Sequence, residues 1–133
     1  PFVTRRSILR DMEALPPRTV KEDKFYIGFF QETKLMAVMD LILNYPDTQT
    51  AFLGFFMMRP SEQGKGIGSK ITEECFACLW SGKYRFVRLA YAKGNPQSEA
   101  FWKKNGFTET GTEKDCGNYT AVVMERELQD SKK

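Results

Sequence analysis

The sequence predicts an α+β fold, a mixed and mostly antiparallel central sheet with helices on both faces, and three observations carry that expectation. Two apolar runs, KFYIGFF (24–30) and KLMAVMDLIL (34–43), flank the short polar turn Gln31-Glu32-Thr33. The apolar segment TAFLGFFMMR (50–59) leads through three closely spaced glycines into a helical pattern, and that helix leads into another strand. A short, well-signalled helix and two closing strands then finish the order. With 133 residues, 41% hydrophobic and 14% aromatic, one domain over residues 1–133 can bury a core.

Taken in order, TRRSILRDMEALPP places Ile8, Leu9, Met12 and Leu15 at helical spacing after Thr4, and Pro16-Pro17 ends that run, so a first helix is expected here. The runs 24–30 and 34–43 read as an antiparallel hairpin. Residues 50–59 are too continuously apolar for a wet face and should form a central strand. Ile67, Ile71, Cys75, Cys78 and Leu79 recur at helical spacing, SGK closes that helix, and YRFVRLAY (84–91) resumes as strand, a βαβ crossover. In NPQSEAFWKKNGF, Asn95 stands at an N-cap, Pro96 at the first helical position and Gly106 just past the end. FTETGTE and YTAVVMERE (119–127) supply the last two strands.

Composition excludes several classes. A formal charge of +3 favours an anionic ligand but is too small to argue for a nucleic-acid surface. No apolar run is long enough to span a bilayer and no charged-then-apolar leader is visible, so no membrane association is expected and the location expected is cytoplasmic. An odd number of cysteines points to free thiols. The absence of histidine removes Ser-His-Asp and Cys-His catalysis and His-based metal sites, and no metal is expected.

The stretch RPSEQGKGIGSK carries Gly64, Gly66 and Gly68 on alternate positions at a helix start. Glycine costs a helix roughly 1 kcal/mol relative to alanine, so the run requires either a tight turn or a ligand to receive. Backbone amides at a helix N-terminus, stripped of Cβ interference, suit a pyrophosphate. Other glycine loops fit poorly: Lys65 is followed by Gly66 rather than Ser or Thr, so there is no Walker A, and the Gly-x-Gly-x-x-Gly register fails at Ser69 and at Ile71.

Gln63-Gly64-Lys65-Gly66-Ile67-Gly68 resembles the Gln/Arg-x-x-Gly-x-Gly/Ala signature of the GCN5-related N-acetyltransferases (GNAT), between a central strand and the main helix as that family places it. GNPQSEAFWKKNGF resembles the family's second signature, and the resemblance runs from about Lys24 to Leu128. It implies the GNAT-like acyl-CoA N-acyltransferase fold, acetyl-CoA as co-substrate and a small-molecule amine as acceptor. The amides of Gly64, Lys65, Gly66, Ile67 and Gly68, with Ser69 next in line, would meet the pyrophosphate, and Gln63 would shape the loop. Backbone groups of Phe56 and Met58 would pair with the pantetheine arm, the Phe56 amide donating to the thioester oxygen. Asn95 resembles the residue that bonds the pantetheine, a role compatible with capping. Lys65, Lys70, Lys93 and Lys103 are within the reach such phosphates would need but read first as ordinary solvated surface.

This chain departs from the family in three respects. Trp102 stands where relatives carry a Tyr that protonates the leaving thiolate, and indole is not such an acid; Trp102 remains a candidate cofactor contact. The strand 50–59 contains no Asp or Glu to act as base. Asp40, a carboxylate inside the apolar strand AVMDLIL, is the first candidate base, set against an outward-facing or hydrogen-bonded strand Asp. Tyr119 is a weaker candidate acid. Relatives usually open with a further strand and helix, so the N-terminal strand reads as missing here; either the sequence is N-terminally truncated or a partner chain supplies the strand, which leaves a homodimer open. Gly54 marks a bulge, a close backbone approach or plain packing. Cys75-x-x-Cys78 reads as core packing, Cys116 as exposed, and the aromatics Phe25, Tyr26, Phe29 and Phe30 as an acceptor wall or a half-buried sheet. A noncatalytic acyl-CoA-binding regulatory or partner-binding domain is the alternative function.

Overall fold

A computed structural model describes the backbone of residues 3–7 and the whole of residues 23–129. The strands are β1 (Val3–Ser7), β2 (Lys24–Gln31), β3 (Lys34–Leu43), β4 (Thr50–Met58), β5 (Phe86–Ala92), β6 (Thr108–Asp115) and β7 (Thr120–Glu127), and the helices are α1 (Ile67–Ser81) and α2 (Pro96–Lys104). They form one seven-stranded sheet in the order β1-β2-β3-β4-β5-β7-β6, with β4 at its centre as its apolar run predicts. β4 and β5 pair in parallel across the α1 crossover and every other pair is antiparallel.

Two expectations need correction at the N-terminus. Residues 4–7 belong to β1, which pairs antiparallel with β2 from Val3↔Phe30 to Ser7↔Tyr26, and not to a helix beginning at Thr4. The N-terminal strand that reads as missing from the sequence is therefore supplied by residues 3–7 at the sheet edge. A polar edge strand such as VTRRS has no alternating apolar face to announce it. The rest of the expected first helix, residues 8–17, lies outside the described residues.

One face of the sheet carries Phe29, Met39, Leu41, Leu53, Val87, Leu89 and Met124, all buried in a single core cluster. Both described helices pack on this face: Cys75 of α1 meets Met39 at 3.6 Å between sulfurs, and Phe101 of α2 stacks on Phe56 with ring centroids 6.2 Å apart. α1 buries Gly68, Ile71, Thr72, Cys75, Phe76 and Leu79. Cys78 is exposed, contrary to the core reading of the Cys75-x-x-Cys78 pair, because it falls one position round from that stripe. Burial pushes the Cys75 thiol up to about 12, whereas Cys116 is exposed.

The feature that opens the sheet lies in β4. Asp40 pairs with Phe55 but Leu41 pairs with Leu53, which leaves Gly54 as the extra residue of a bulge. A Cβ on Gly54 would stand 2.9 Å from Asp40 Oδ2, so the expected bulge is present, and what crowds this glycine is a side-chain carboxylate rather than another stretch of backbone. β4 pairs with β5 only from Thr50 to Leu53. Past the bulge β4 keeps β3 alone, while β5 continues against β7 to Ala92↔Ala121. The expectation that β4 has no wet face holds for its first half only: Leu53 is 2% exposed, whereas Phe55 is 42% and Met57 62% exposed.

Candidate functional site

Strand alternation fixes which way the free half of β4 points. The Arg59 amide donates to the Met36 carbonyl at 2.8 Å, toward β3, so at period two the polar groups of Phe56 and Met58 face away from β3, into the gap that β5 leaves. The Met58 carbonyl accepts from Gln63 Nε2 at 3.3 Å, which ties the start of the glycine loop to the strand end. A 3₁₀ turn, Pro60–Glu62, bridges them.

The loop then presents its N–H groups. Gly64 (φ 80°) and Gly66 (φ 77°) adopt the left-handed region, Gly66 as the N-cap of α1, and nothing lies within 4 Å of where a Cβ would stand on either. Gly68 answers to a different need: its Cβ would meet two Phe101 ring atoms at 3.3 Å, so α1 and α2 approach closely there. Among the described residues, no protein acceptor receives a hydrogen bond from the amides of Gly64 to Ser69. Helix geometry leaves the first N–H groups of α1 unspent, and the turn adds those before it.

The loop borders a cavity of about 380 Å³ lined by Phe56, Met58, Gln63, Gly64, Gly66, Gly68, Ser69 and Trp102 among others. Sequence motifs on two elements thus converge on one cleft, and Lys65 and Ile67 belong to the same loop. Trp102 is buried in an aromatic group, 4.7 Å from Phe101 and 5.4 Å from Phe107 between ring centroids, and forms a wall. Gln97, Ser98, Phe101 and Lys104 also line the cavity; they fall inside the second motif but are not singled out as site residues by it. Their i, i+4 and i+7 spacing along α2 was the available signal, since it puts them on one helix side. Lys104 lines the cleft, whereas Lys103 pairs with Glu99 (2.6 Å) and Glu109 (3.4 Å), and Lys93 with Glu113 (3.2 Å). Glu62 accepts from Lys34 at 2.9 Å and stands 3.5 Å from Lys65; the Lys34 hydrogen bond holds its carboxyl below the usual range.

Besides Lys65 and Ile67, which are not among the lining residues, three candidates lie outside that cavity. Asn95 is exposed, and its Oδ1 accepts from the Ser98 amide at 3.1 Å as the α2 N-cap. Asp40 is 8% exposed on the opposite sheet face, with Lys24 Nζ at 3.6 Å from Oδ2 and Lys24 itself 2% exposed. Tyr119 is 50% exposed before β7; its hydrogen bond with Cys116 raises its phenol above the usual range, so the proton is held at neutral pH. Since β7 runs against β5, Tyr119 lies at the sheet end where β4 and β5 part. Among the described residues no group of three or more carboxylates and thiols is placed to hold a metal, and no helix is long and apolar enough to cross a membrane.

A profile described as "Acetyltransferase (GNAT) family" matches residues 4–107, and the chain belongs to that family. It is 28% identical over 88 residues to a holothin acyltransferase of Pseudoalteromonas sp. (strain SANK 73390), a match covering 66% of this chain and 27% of that protein. The chain thus spans about a quarter of that relative's length. Its fold is similar to an acetyltransferase from Thermus thermophilus (TM-score 0.68, 25% identity, 82% of this chain and 67% of that one). It is also similar to a PaiA N-acetyltransferase from Thermoplasma acidophilum in complex with coenzyme A (TM-score 0.67, 23% identity, 80% and 62%).

Proposed function

We propose that this protein transfers the acetyl group of acetyl-CoA to the primary amine of a small molecule, by direct attack with both reactants bound. The observation that carries the proposal is the run of unspent amides from Gly64 to Ser69 beside a cleft opened by the parting of β4 and β5. A diphosphate needs several converging donors, and N–H bonds to it outweigh the roughly 0.3–1 kcal/mol of helix-end charge at an exposed site. Lys104, with its charge on the wall, suits a phosphate oxygen. Phe56 and Met58 offer backbone groups along the gap, and the coenzyme A carried by the Thermoplasma enzyme is consistent with such a ligand.

In the transfer, the amine nitrogen forms a bond to the carbonyl carbon, the C–S bond breaks and the thiolate leaves with the electron pair. The Phe56 amide would stabilise the oxygen that gains charge. An ammonium of pKa ~10.4 must first lose a proton, which costs roughly 4–5 kcal/mol at pH 7 if unassisted. Asp40, directly or through water, is the proposed acceptor of that proton. Tyr119, held protonated, is the proposed donor to the thiolate and is recharged, through solvent, by the second proton that the nitrogen sheds on becoming an amide, and Asn95 keeps a free amide N–H₂ to offer the pantetheine.

A thermal-shift titration with acetyl-CoA tests the binding half: ligand at a hundred times its Kd should stabilise by about 2.7 kcal/mol. No shift removes the proposal. Thiol release on an amine panel tests the chemistry. The second reading, a noncatalytic acyl-CoA-binding domain, draws on the indole of Trp102 in place of an acid, and it expects binding without thiol release.

A further inference from the structure

Resting on that reading, we infer that Phe101 is a positioning residue whose ring sets how far the Phe56 amide stands from the amides at the start of α1. These are the two places proposed to grip one extended cofactor, and they lie on different elements. The chain between them is a 3₁₀ turn and a loop with two left-handed glycines. Its ties run back to the strands: Gln63 Nε2 donates to the Met58 carbonyl at 3.3 Å, and Arg59 Nε to the Leu35 carbonyl at 2.7 Å. Neither reaches α1. Phe101 touches both sides. Its ring stacks on Phe56 at 19°, with centroids 6.2 Å apart, and its Cε1 and Cζ lie 3.3 Å from where a Cβ would stand on Gly68, which is buried in the first turn of α1.

A spacer must also be backed. Trp102 closes on Phe101 edge to face at 4.7 Å and rests on Phe107, whose ring meets Phe76 of α1 at 5.8 Å. The Phe101 carbonyl accepts from the Asn105 amide at 3.1 Å and from Asn105 Nδ2 at 2.8 Å. Arg126 then joins the Asn105 carbonyl (2.9 Å) to Glu73 of α1 (2.6 Å). The end of α2 is thereby tied to α1, and the ring is pressed toward Gly68. That contact also accounts for the glycine. Gly68 does not share the left-handed backbone of Gly64 and Gly66, so conformation does not require glycine there, and alanine is the better helix former. What requires it is the ring of Phe101.

The test is calorimetric titration of the full chain with acetyl-CoA and with ADP, which carries a diphosphate but no pantetheine or thioester and so engages one grip only. Gly68→Ala should weaken acetyl-CoA about tenfold and ADP less than twofold, because a displaced ring misaligns the two grips and leaves each intact. In a Phe101→Leu background, where the colliding Cε1 and Cζ are gone, Gly68→Ala should cost acetyl-CoA less than twofold. Equal losses in both backgrounds, equal losses for both ligands, or no loss at all would each overturn the inference and leave the cofactor reading standing. If ADP binds too weakly to read, the comparison of the two backgrounds decides alone. If Gly68→Ala does not fold, Phe101→Ala takes its place: a loss for acetyl-CoA alone supports the spacer, and any other result overturns it. Absence of acetyl-CoA binding by the unaltered chain overturns both readings.

Discussion

The two halves of β4 are made of similar residues and do opposite things. Ala51 to Leu53 is paired on both sides, with Ala51 and Leu53 buried in the core. Gly54 to Met58 is equally apolar but paired on one side only, and its outward groups face a cleft. The difference comes from one inserted residue. The bulge at Gly54 re-aims the strand, β5 follows β7 instead, and a central strand becomes a local edge inside the sheet. Apolar character therefore means packing in one half and exposure beside a cleft in the other.

Substitutions can break that comparison. The largest effect is expected in the closed half: Leu53→Ala should destabilise by about 3 kcal/mol, within the usual 2–5 for a buried leucine, whereas Phe55→Ala in the open half should cost about 1 kcal/mol or less; urea unfolding of both reads the contrast. Equal losses would mean that both halves are core. Gly66→Val puts a β-branched residue at φ 77° and blocks the amide run. It should weaken acetyl-CoA about a hundredfold by calorimetry while the melting temperature falls by a few degrees. Asp40→Asn should cut acetyl transfer at least tenfold with acetyl-CoA affinity near normal, and unchanged turnover would remove its proposed role.

The smallest effect concerns the layer beneath Phe56. Because the Cys75 thiol is raised from about 9 to about 12 in the fold, its protonated form contributes stability that is complete below pH 9 and is lost as pH rises toward 12. At pH 8 an alkylating reagent should modify Cys78 and Cys116 and spare Cys75 until the protein is unfolded. Early labelling of Cys75 would show that water reaches this layer.

Most of the architecture is legible from the residues because their local signals agree with the final packing. Lys34–Leu43 is predicted and observed as one strand, the crossover is parallel as expected, and Asn95 caps α2 from the position its Pro96 neighbour implies. What escapes depends on the partner rather than the segment. Whether Phe55 and Met57 are covered is decided by how far β5 travels alongside, which period-two patterning does not encode. Val3–Ser7 becomes strand because β2 offers it an edge, although Thr4, Arg5 and Arg6 carry no apolar alternation. The cleft shows the same division: the glycine run, Gln63 and Trp102 announce themselves as motifs, and Lys104 and Gln97 do so only once α2 has a direction.

The gap between β4 and β5 has a kinetic corollary. If the proposed transfer runs in this gap, an amine entering at the Phe55 side of β4 would not lie across the exit of a cofactor held at the Phe56 side. The geometry then imposes no compulsory order of addition. Initial-rate lines at varied amine should intersect on the axis when acetyl-CoA is changed, each reactant keeping its own dissociation constant whether or not the other is present.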